Sequence, residues 1–511
     1  MTRAQIQPWH IALGLSLLIA VFVSLWPTGV GRDYLNHLAR THIEGHLASD
    51  PDLQRFFGLS FDFIPDLTMD LIVPWLSHMI GTYAAGAVTL WLAFMLAPLA
   101  GLALSKALFG RVTWPSLIGF LTLFNVNMDW GFVNYYAATG LALFAFILWL
   151  KMRPNWQRTL VFFPLALVLC VNHALAFLMF GFLALSWELI AYARQERGTL
   201  TTFLTKAVIY DVTAMIGGLI FLGASVLSAS DLPQGTADFF SLKQKAYALS
   251  SATEFYNRPL GVFAGLAVLG GLYFSIRSGW FKFASGMGWL CGAVLGLVVL
   301  MPTSVLGIWG LHLRFTAVLI ILVGACVQVT PAFSLSRQRL VSVVVGALGF
   351  SLIVNGAVQM ARIDAIVKET RAALDSVPRG STVLIGISSE NIHYAAVMNA
   401  AASIVIDRSG YVPGLFTNTS PVDIHPDYAA RHMPQSQPLT PAELTLAASR
   451  EPIPSQNGYW SLAYARGWTE TFDYLIFYQL AEDPPFRMEE ICAVRRTEDI
   501  VLYTAQACVT D

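Results

Sequence analysis

The sequence predicts a polytopic α-helical membrane protein carrying a C-terminal α/β domain on its outer face, on three observations. Hydrophobic residues make up 56% of the 511 and charged residues only 12%, whereas a soluble domain carries about a quarter charged residues. The mean hydropathy is +0.59. Finally, the apolar residues gather into bilayer-length runs as far as Val354, after which prolines and charges return. An ordinary cytosolic enzyme is thereby excluded. So is nucleic-acid binding, because 31 Lys and Arg against 32 Asp and Glu give a net charge of -1 and leave no basic excess to neutralise phosphates. Five cysteines without C-x-x-C spacing exclude a zinc ribbon, an iron–sulfur cluster and a disulfide-built scaffold. Cys170, Cys291 and Cys326 lie in apolar stretches and read as small hydrophobes.

A hydrocarbon core about 30 Å thick needs roughly 20 apolar residues at helical rise. Eleven runs qualify: Trp9–Trp26, Tyr83–Leu104, Trp114–Met128, Val133–Leu150, Thr159–Val171, Ala174–Ala193, Ala207–Leu227, Pro259–Ile276, Ala284–Met301, Phe315–Val329 and Leu340–Val354. The first ends in Trp26-Pro27 and lacks a small-x-small cleavage site, so it reads as an anchor and not a signal peptide. Lys and Arg set the orientation. With a cytoplasmic N-terminus the inner loops receive Arg3, Lys106, Arg111, Lys151, Arg153, Arg158, Arg194, Arg197, Lys206, Arg277, Lys282, Arg337 and Arg339, while the three shortest outer connections receive only Arg314. The predicted organisation is a transmembrane module over 1–358, with outer loops 27–70 and 228–258, and an outer domain over 359–511. The membrane is a plasma membrane, the bacterial inner membrane, with the domain periplasmic or extracellular.

In the outer domain, Ile363, Ile366, Val367 and Leu374 recur at helical spacing, so a helix leaves the membrane. Thr382–Ile385 reads as a strand, Asn391–Ala402 as a helix and Ser403–Ile406 as a second strand, a β-α-β order that predicts a small parallel sheet. Tyr474–Tyr478 and Ile500–Tyr503 add strands, and Pro413–Pro454, rich in Pro, Ser, Thr and Asn, reads as a long ordered loop or lid. Cys492 and Cys508 share this oxidising compartment, where they can pair or remain two thiols on unrelated strands. No Gly-rich nucleotide loop, Walker sequence, H-E-x-x-H or G-x-S-x-G occurs there. The domain therefore reads as a lid or acceptor-docking module.

The chemistry is expected where the first span meets the outer surface. If the segment Gly31–Arg40 begins a helix, Asp33, Asn36, His37 and Arg40 occupy i, i+3, i+4 and i+7, one face. Such a face can hold a phosphate through Arg40 and a sugar through Asn36 and His37, or it is an interfacial helix with solvated charges. Asp62, Asp66 and Asp70 fall at i, i+4 and i+8 and can line a second helix, although Asp66 after Pro65 also suits a helix cap. Asp129 lies in the tight connection between the third and fourth spans, where a buried acid is paired or functional. A hydrogen-bonded turn with Asn125, Asn127 and Asn134 is the alternative. His173 breaks the apolar stretch Thr159–Ala193 at its outer end, as a turn residue or as a ligand that with Asp129 completes a site for a divalent cation such as Mg or Mn, or for phosphate. Phe239–Leu249 is basic and aromatic and reads as an amphipathic helix on the surface, flanking a lipid entrance or packing only.

An acid just after the first helix, then Asn36-His37-Leu38-Ala39-Arg40, then Phe63–Asp70 leading to the second span, resembles the GT-C class of integral membrane glycosyltransferases. Phe124-Asn125-x-Asn127-x-x-Trp130-Gly131-Phe132-Val133-Asn134-Tyr135-Tyr136 is similar to a pattern in bacterial members of that class. The resemblance covers the membrane part and reaches the tail only loosely. It implies transfer of a sugar from a polyprenyl-phosphate carrier to a lipid, glycan or protein acceptor on the outer leaflet. It also implies a role for Asp129, in metal binding or acceptor orientation, and an Arg of the late helices against the carrier phosphate. Arg314 is the first choice and Arg258 the second, with snorkelling to lipid head groups as the alternative for each.

Inverting transfer from a phosphate-linked sugar needs one carboxylate to take the acceptor proton, whereas phosphate leaves without an acid. Asp33 is the expected base, with Asp62, Asp66 and Asp70 of the same loop as competitors for the role. Two other classes compete with an inverting glycosyltransferase: a transporter or flippase for lipid or polysaccharide, and a non-catalytic scaffold of envelope assembly. Neither internal repeats nor helices broken at mid-membrane depth are evident, which disfavours the transporter. The scaffold leaves the clustered polar loop unexplained. Asp33→Asn separates the classes, since only an enzyme should lose turnover while keeping its fold.

Overall fold

The structure is a computed structural model describing residues 7–505 apart from 61–63, 195–198, 200, 202–204, 206–207, 229–240, 306–307, 390–396, 418–419, 435, 450–461, 480–482, 484–485 and 489–490. The chain is an integral membrane protein that falls into two compact units. The first comprises Met1–Val23, Phe63–Thr68 and Val88–Gln359, and the second Ser24–Asp62, Met69–Ala87 and Met360–Asp511.

In the first unit, the expected spans form helices because only intrasegment hydrogen bonds satisfy a backbone in hydrocarbon. Among the described residues seven helices are long and apolar enough to cross a membrane: Pro8–Leu25, Thr82–Phe109, Val133–Lys151, Ala174–Ala193, Ile209–Leu227, Arg258–Arg277 and Leu335–Leu374. Trp156–Asn172, Met287–Leu300 and Leu311–Cys326 are shorter apolar helices at three further expected positions. The last long helix runs 40 residues, so the expected eleventh span and the helix predicted to leave the membrane are one element.

The expected third span differs. Trp114–Thr122 is a 3-10 helix and Val126–Asp129 a single turn. Here the Ser116 and Thr122 hydroxyls donate to the carbonyls of Thr113 and Gly119, three residues back, which competes with an α-helical ladder. This tight segment packs on Thr316–Cys326. Gly324 permits the approach, since a Cβ there would lie 2.8 Å from the Pro115 carbonyl oxygen. Beside it Leu121, Leu272, Phe281, Ile320 and Phe333 share one apolar core. Phe281–Phe283 pairs antiparallel with Val327–Val329.

The second unit holds a four-stranded sheet in the order Val383–Ile387, Tyr474–Tyr478, Ile500–Thr504 and Cys492–Arg496. Only the first pair is parallel. Three predicted strands are therefore present, but Ser403–Ile406 is not among them: it belongs to the helix Ser403–Arg408. Ser403, Ile404 and Val405 are buried in succession, where a half-buried strand would alternate, and the helix packs against Asp33–His46. Of the helix expected over 391–402, the first half lies outside the described residues and Ala400–Ala402 is a 3-10 turn. The predicted lid contains a strand, Val422–Ile424, a 3-10 helix, Pro426–Arg431, and a helix, Pro441–Ala448, capped reciprocally by Thr440 and Glu443.

The first loop pairs with C-terminal residues. Phe57–Leu59 of the first loop pairs antiparallel with Val422–Ile424, and Arg379 bridges Asp50 at 2.8 Å and Asp52 at 3.2 Å. These pairings make most of loop 27–70 part of the second unit. Cys170, Cys291 and Cys326 are free and buried, as expected of small hydrophobes. Cys492 is disulfide-bonded, and Cys508 lies outside the described residues.

Candidate active site

The helix expected from Gly31–Arg40 is present as Asp33–His46, opening after Arg32, whose φ is 51°. Asp33 is its first residue and half-buried. The alternative of a solvated interfacial helix does not hold, because Asn36 and Arg40 are 1% and 0% exposed. Asn36 uses both ends of its amide within the second unit: Nδ2 donates to Asn399 Oδ1 at 3.0 Å and to the Gly414 carbonyl at 2.9 Å, and Oδ1 accepts from the Phe416 amide at 2.7 Å. His37 meets the Phe416 ring edge-on. Arg40 forks onto Asp70, Nε to Oδ1 at 2.9 Å and Nη2 to Oδ2 at 2.7 Å. These contacts give Asn36 and Arg40 ordering roles that spacing alone could not reveal.

The helix expected through Asp62, Asp66 and Asp70 does not form. Asp62 lies outside the described residues, the helix begins at Thr68, and Asp66 sits at φ 107°. A non-glycine residue there is strained and persists only where its surroundings over-determine it. The first unit supplies those surroundings. The amides of Asp66 and Leu67 both donate to the Val171 carbonyl at 3.2 Å. Asn134 Nδ2 donates to the Asp66 carbonyl at 3.0 Å, and the Thr68 hydroxyl to the Asn172 carbonyl at 3.1 Å. Asn134 and Asn172 were legible only as turn residues, and their roles in holding the Asp66 and Thr68 positions are tertiary.

The clamped carboxylate faces His173, whose Nε2 lies 3.7 Å from Asp66 Oδ1. His173 also caps the Ala174–Ala193 helix, its Nδ1 accepting from the Leu175 amide at 3.1 Å. That bond leaves the proton of a neutral imidazole on Nε2, the nitrogen that lies nearest the Asp66 carboxylate. Burial, with the Arg314 charge beside it, holds His173 well below the usual imidazole range, so the ring is neutral. Arg314 Nη1 approaches the same Nε2 to 3.4 Å. Since that nitrogen carries the proton, the approach is a packing contact and not a hydrogen bond. Arg314, 8% exposed, holds its guanidinium over Phe132 at 4.1 Å and near Tyr135 at 5.2 Å, and its backbone carbonyl accepts from the Tyr135 hydroxyl at 2.8 Å. Asp66, His173 and Arg314, chosen separately from the sequence, are thus brought together.

Asp129, 3% exposed, belongs to a different set of contacts. Its Oδ2 accepts from the Tyr256 amide at 3.3 Å and its carbonyl from the Tyr256 hydroxyl at 2.7 Å. Tyr256 has φ 52°, another strained position. Nearby, Tyr247 donates to Glu254 Oε1 at 2.8 Å and carries the Arg258 guanidinium 4.5 Å from its ring. The basic outer segment is a helix over Leu242–Ser250 that does not simply lie on the surface: Lys245 is 8% exposed, and Ala248 packs on Val126 and Leu313. Phe239 and Phe240 lie outside the described residues. Lys245 was missed as a candidate, although its i, i+3 spacing with Ala248 was a signal of a shared inward face.

Of the two residues expected to hold a divalent cation, His173 has Arg314 Nη1 3.4 Å from its Nε2, and Asp129 lies in the separate set of contacts around Tyr256.

No family model and no curated protein matches the sequence. Among solved structures the chain is similar to ArnT from Cupriavidus metallidurans bound to undecaprenyl phosphate, at 11% identity and a TM-score of 0.52, over 97% of this chain and 98% of that one. The apo state of the same protein matches at 11% identity and a TM-score of 0.49, over 97% and 99%. ArnT is a GT-C glycosyltransferase, and the chain has the GT-C fold that its loop motifs led us to expect.

Proposed function

We propose that this protein is an inverting glycosyltransferase that moves a sugar from a polyprenyl-phosphate carrier to a hydroxyl acceptor at the outer face of the membrane. The observation that carries the proposal is the grouping of Asp66, His173 and Arg314 in the first unit, a guanidinium and a carboxylate approaching one imidazole nitrogen at 3.4 and 3.7 Å. The fold neighbour was crystallised with undecaprenyl phosphate, a ligand of the carrier class proposed here.

In this reading Arg314 holds the donor phosphate, because a planar fork matches phosphate oxygens in a way that an ammonium cannot. Arg258 is the second cation. Asp66 and the Nε2 proton of His173 orient hydroxyls of the sugar next to that phosphate, and Asp129 orders the acceptor side through Tyr256. A carboxylate takes the proton of the acceptor hydroxyl as its oxygen attacks the anomeric carbon, and the sequence motif makes Asp33 the candidate for that role. The bond from that carbon to the phosphate oxygen breaks, and the carrier leaves as its phosphate monoester. One displacement inverts the anomeric centre.

The test is incubation of the purified protein with radiolabelled polyprenyl-phosphate sugars and a membrane extract as acceptor. The expected result is transfer of label that Asp33→Asn abolishes without loss of the fold. Absence of both transfer and binding across the common polyprenyl-phosphate sugars would overturn the proposal.

A further inference from the structure

A cleft of about 340 Å³ opens in the first unit at the end where the Pro8–Leu25 helix begins, far along the spans from the connections holding His173 and Arg314. Lys106, in the last turn of the Thr82–Phe109 helix, and Arg111 line it together with Trp9 and Trp114. None of its lining residues is acidic. Two positive charges therefore converge on one concavity without a carboxylate among its walls. Cations that merely snorkel would instead point separately into the head-group layer.

The position of these cations is built. Gly110, at φ 71°, turns the chain between them, and its amide donates to the Lys106 carbonyl at 2.9 Å. Thr113 fixes the floor: its amide donates to Ser105 Oγ at 3.0 Å and its hydroxyl to the Val327 carbonyl at 3.1 Å. Ser105 and Thr113 are buried. The side walls are indoles 52% and 53% exposed, Trp9 and Trp114. An indole at a helix end sits at the level of glycerol and head group.

We infer that this cleft binds the phosphodiester head group of an anionic phospholipid. The cations take the phosphoryl oxygens, and the indoles take the glycerol and the first methylenes, a surface that a free phosphate ion would leave unused. Basic pockets between spans are suited to such head groups, each Lys or Arg adding about 1 kcal/mol of attraction near the surface. Gln7 and Gln328 supply amides at the rim.

Native mass spectrometry of the full chain in neutral detergent, with phosphatidylglycerol and phosphatidylcholine in competition, tests this. Two cations predict a preference for phosphatidylglycerol of about 30-fold, abolished in the Lys106→Gln/Arg111→Gln variant and retained in Lys106→Arg/Arg111→Lys. A melting temperature equal to that of the parent would show that the neutral variant folds, as exposure of both side chains leads one to expect. A preference unchanged in the neutral variant overturns the site. Displacement of phosphatidylglycerol by inorganic phosphate at comparable concentration overturns the lipid assignment in favour of a free anion.

Discussion

Arg40 and Asp70 meet in a two-point ion pair inside the second unit, with side chains 0% and 4% exposed. A buried pair of this kind contributes little relative to an apolar one, but removing one partner strands a charge and costs about 3–5 kcal/mol. Asp70→Asn and Arg40→Met should each lower the melting temperature of the purified protein sharply. The Arg40→Met/Asp70→Leu double variant should recover much of the loss. If both single variants melt like the parent, the pair is not buried as described.

Glu44 gives that pair a pH dependence. Burial, with the Asp70 carboxylate beside it, pushes Glu44 up to about 10 from an ordinary value of 4.5. The folded state keeps its proton while the unfolded chain loses it. This stabilising contribution is complete below pH 4.5 and is lost progressively as pH rises toward about 10. Glu44→Gln resembles the protonated acid, so its melting temperature should exceed the parent's increasingly from pH 6 to pH 9. Parallel melting curves across that range would refute the shift.

His42 and His432 act in the opposite direction. Burial, first among the causes for each, holds them down to about 3 and about 4, against 6.5 in the unfolded chain. Their neutral rings engage the hydroxyls of Thr82 and Thr417 at 2.7 and 2.9 Å. With lowered values, the stability is present above pH 6.5 and falls as acid protonates the unfolded state. His42→Gln/His432→Gln should show a shallower loss of stability between pH 6.5 and 4, as read by denaturant unfolding.

Asp66 separates stability from activity. At φ 107° the residue is strained, and glycine adopts that conformation without the steric cost. Asp66→Gly is expected to unfold at the parent's temperature or above it, whereas Asp66→Ala gains nothing. Both should lose transfer in the labelled-sugar assay. A Gly variant that retains full turnover would leave the strain without a purpose.

For Arg314, the conservative change is the informative one. Arg314→Lys keeps the charge over Phe132 but loses the fork, so KM for the donor should rise about tenfold or more, with a smaller change in kcat. An equal loss in kcat alone would place Arg314 away from the donor phosphate.

The spans, the helix at Asp33–His46 and three strands of the sheet were legible because each is written in local periodicity: apolar runs, i, i+3 and i+4 polar spacing, and β-branched segments. Trp114–Thr122 and Ser403–Arg408 were misread where hydroxyl back-bonding and burial on successive residues overrode that pattern. Composition and hydropathy by themselves determined a polytopic membrane protein, the resemblance of its loop motifs pointed to the GT-C type, and the sequence offered Asp66, His173 and Arg314 as candidates. Only the tertiary structure decided which of them approach one nitrogen, that Asn36 and Arg40 bond within their own unit, and that most of the first loop belongs with the C-terminal residues. The physical reason is range. Propensity and hydropathy act over a few residues along the chain, whereas the hydrogen bonds that fix these side chains join positions as far apart as Asn36 and Phe416.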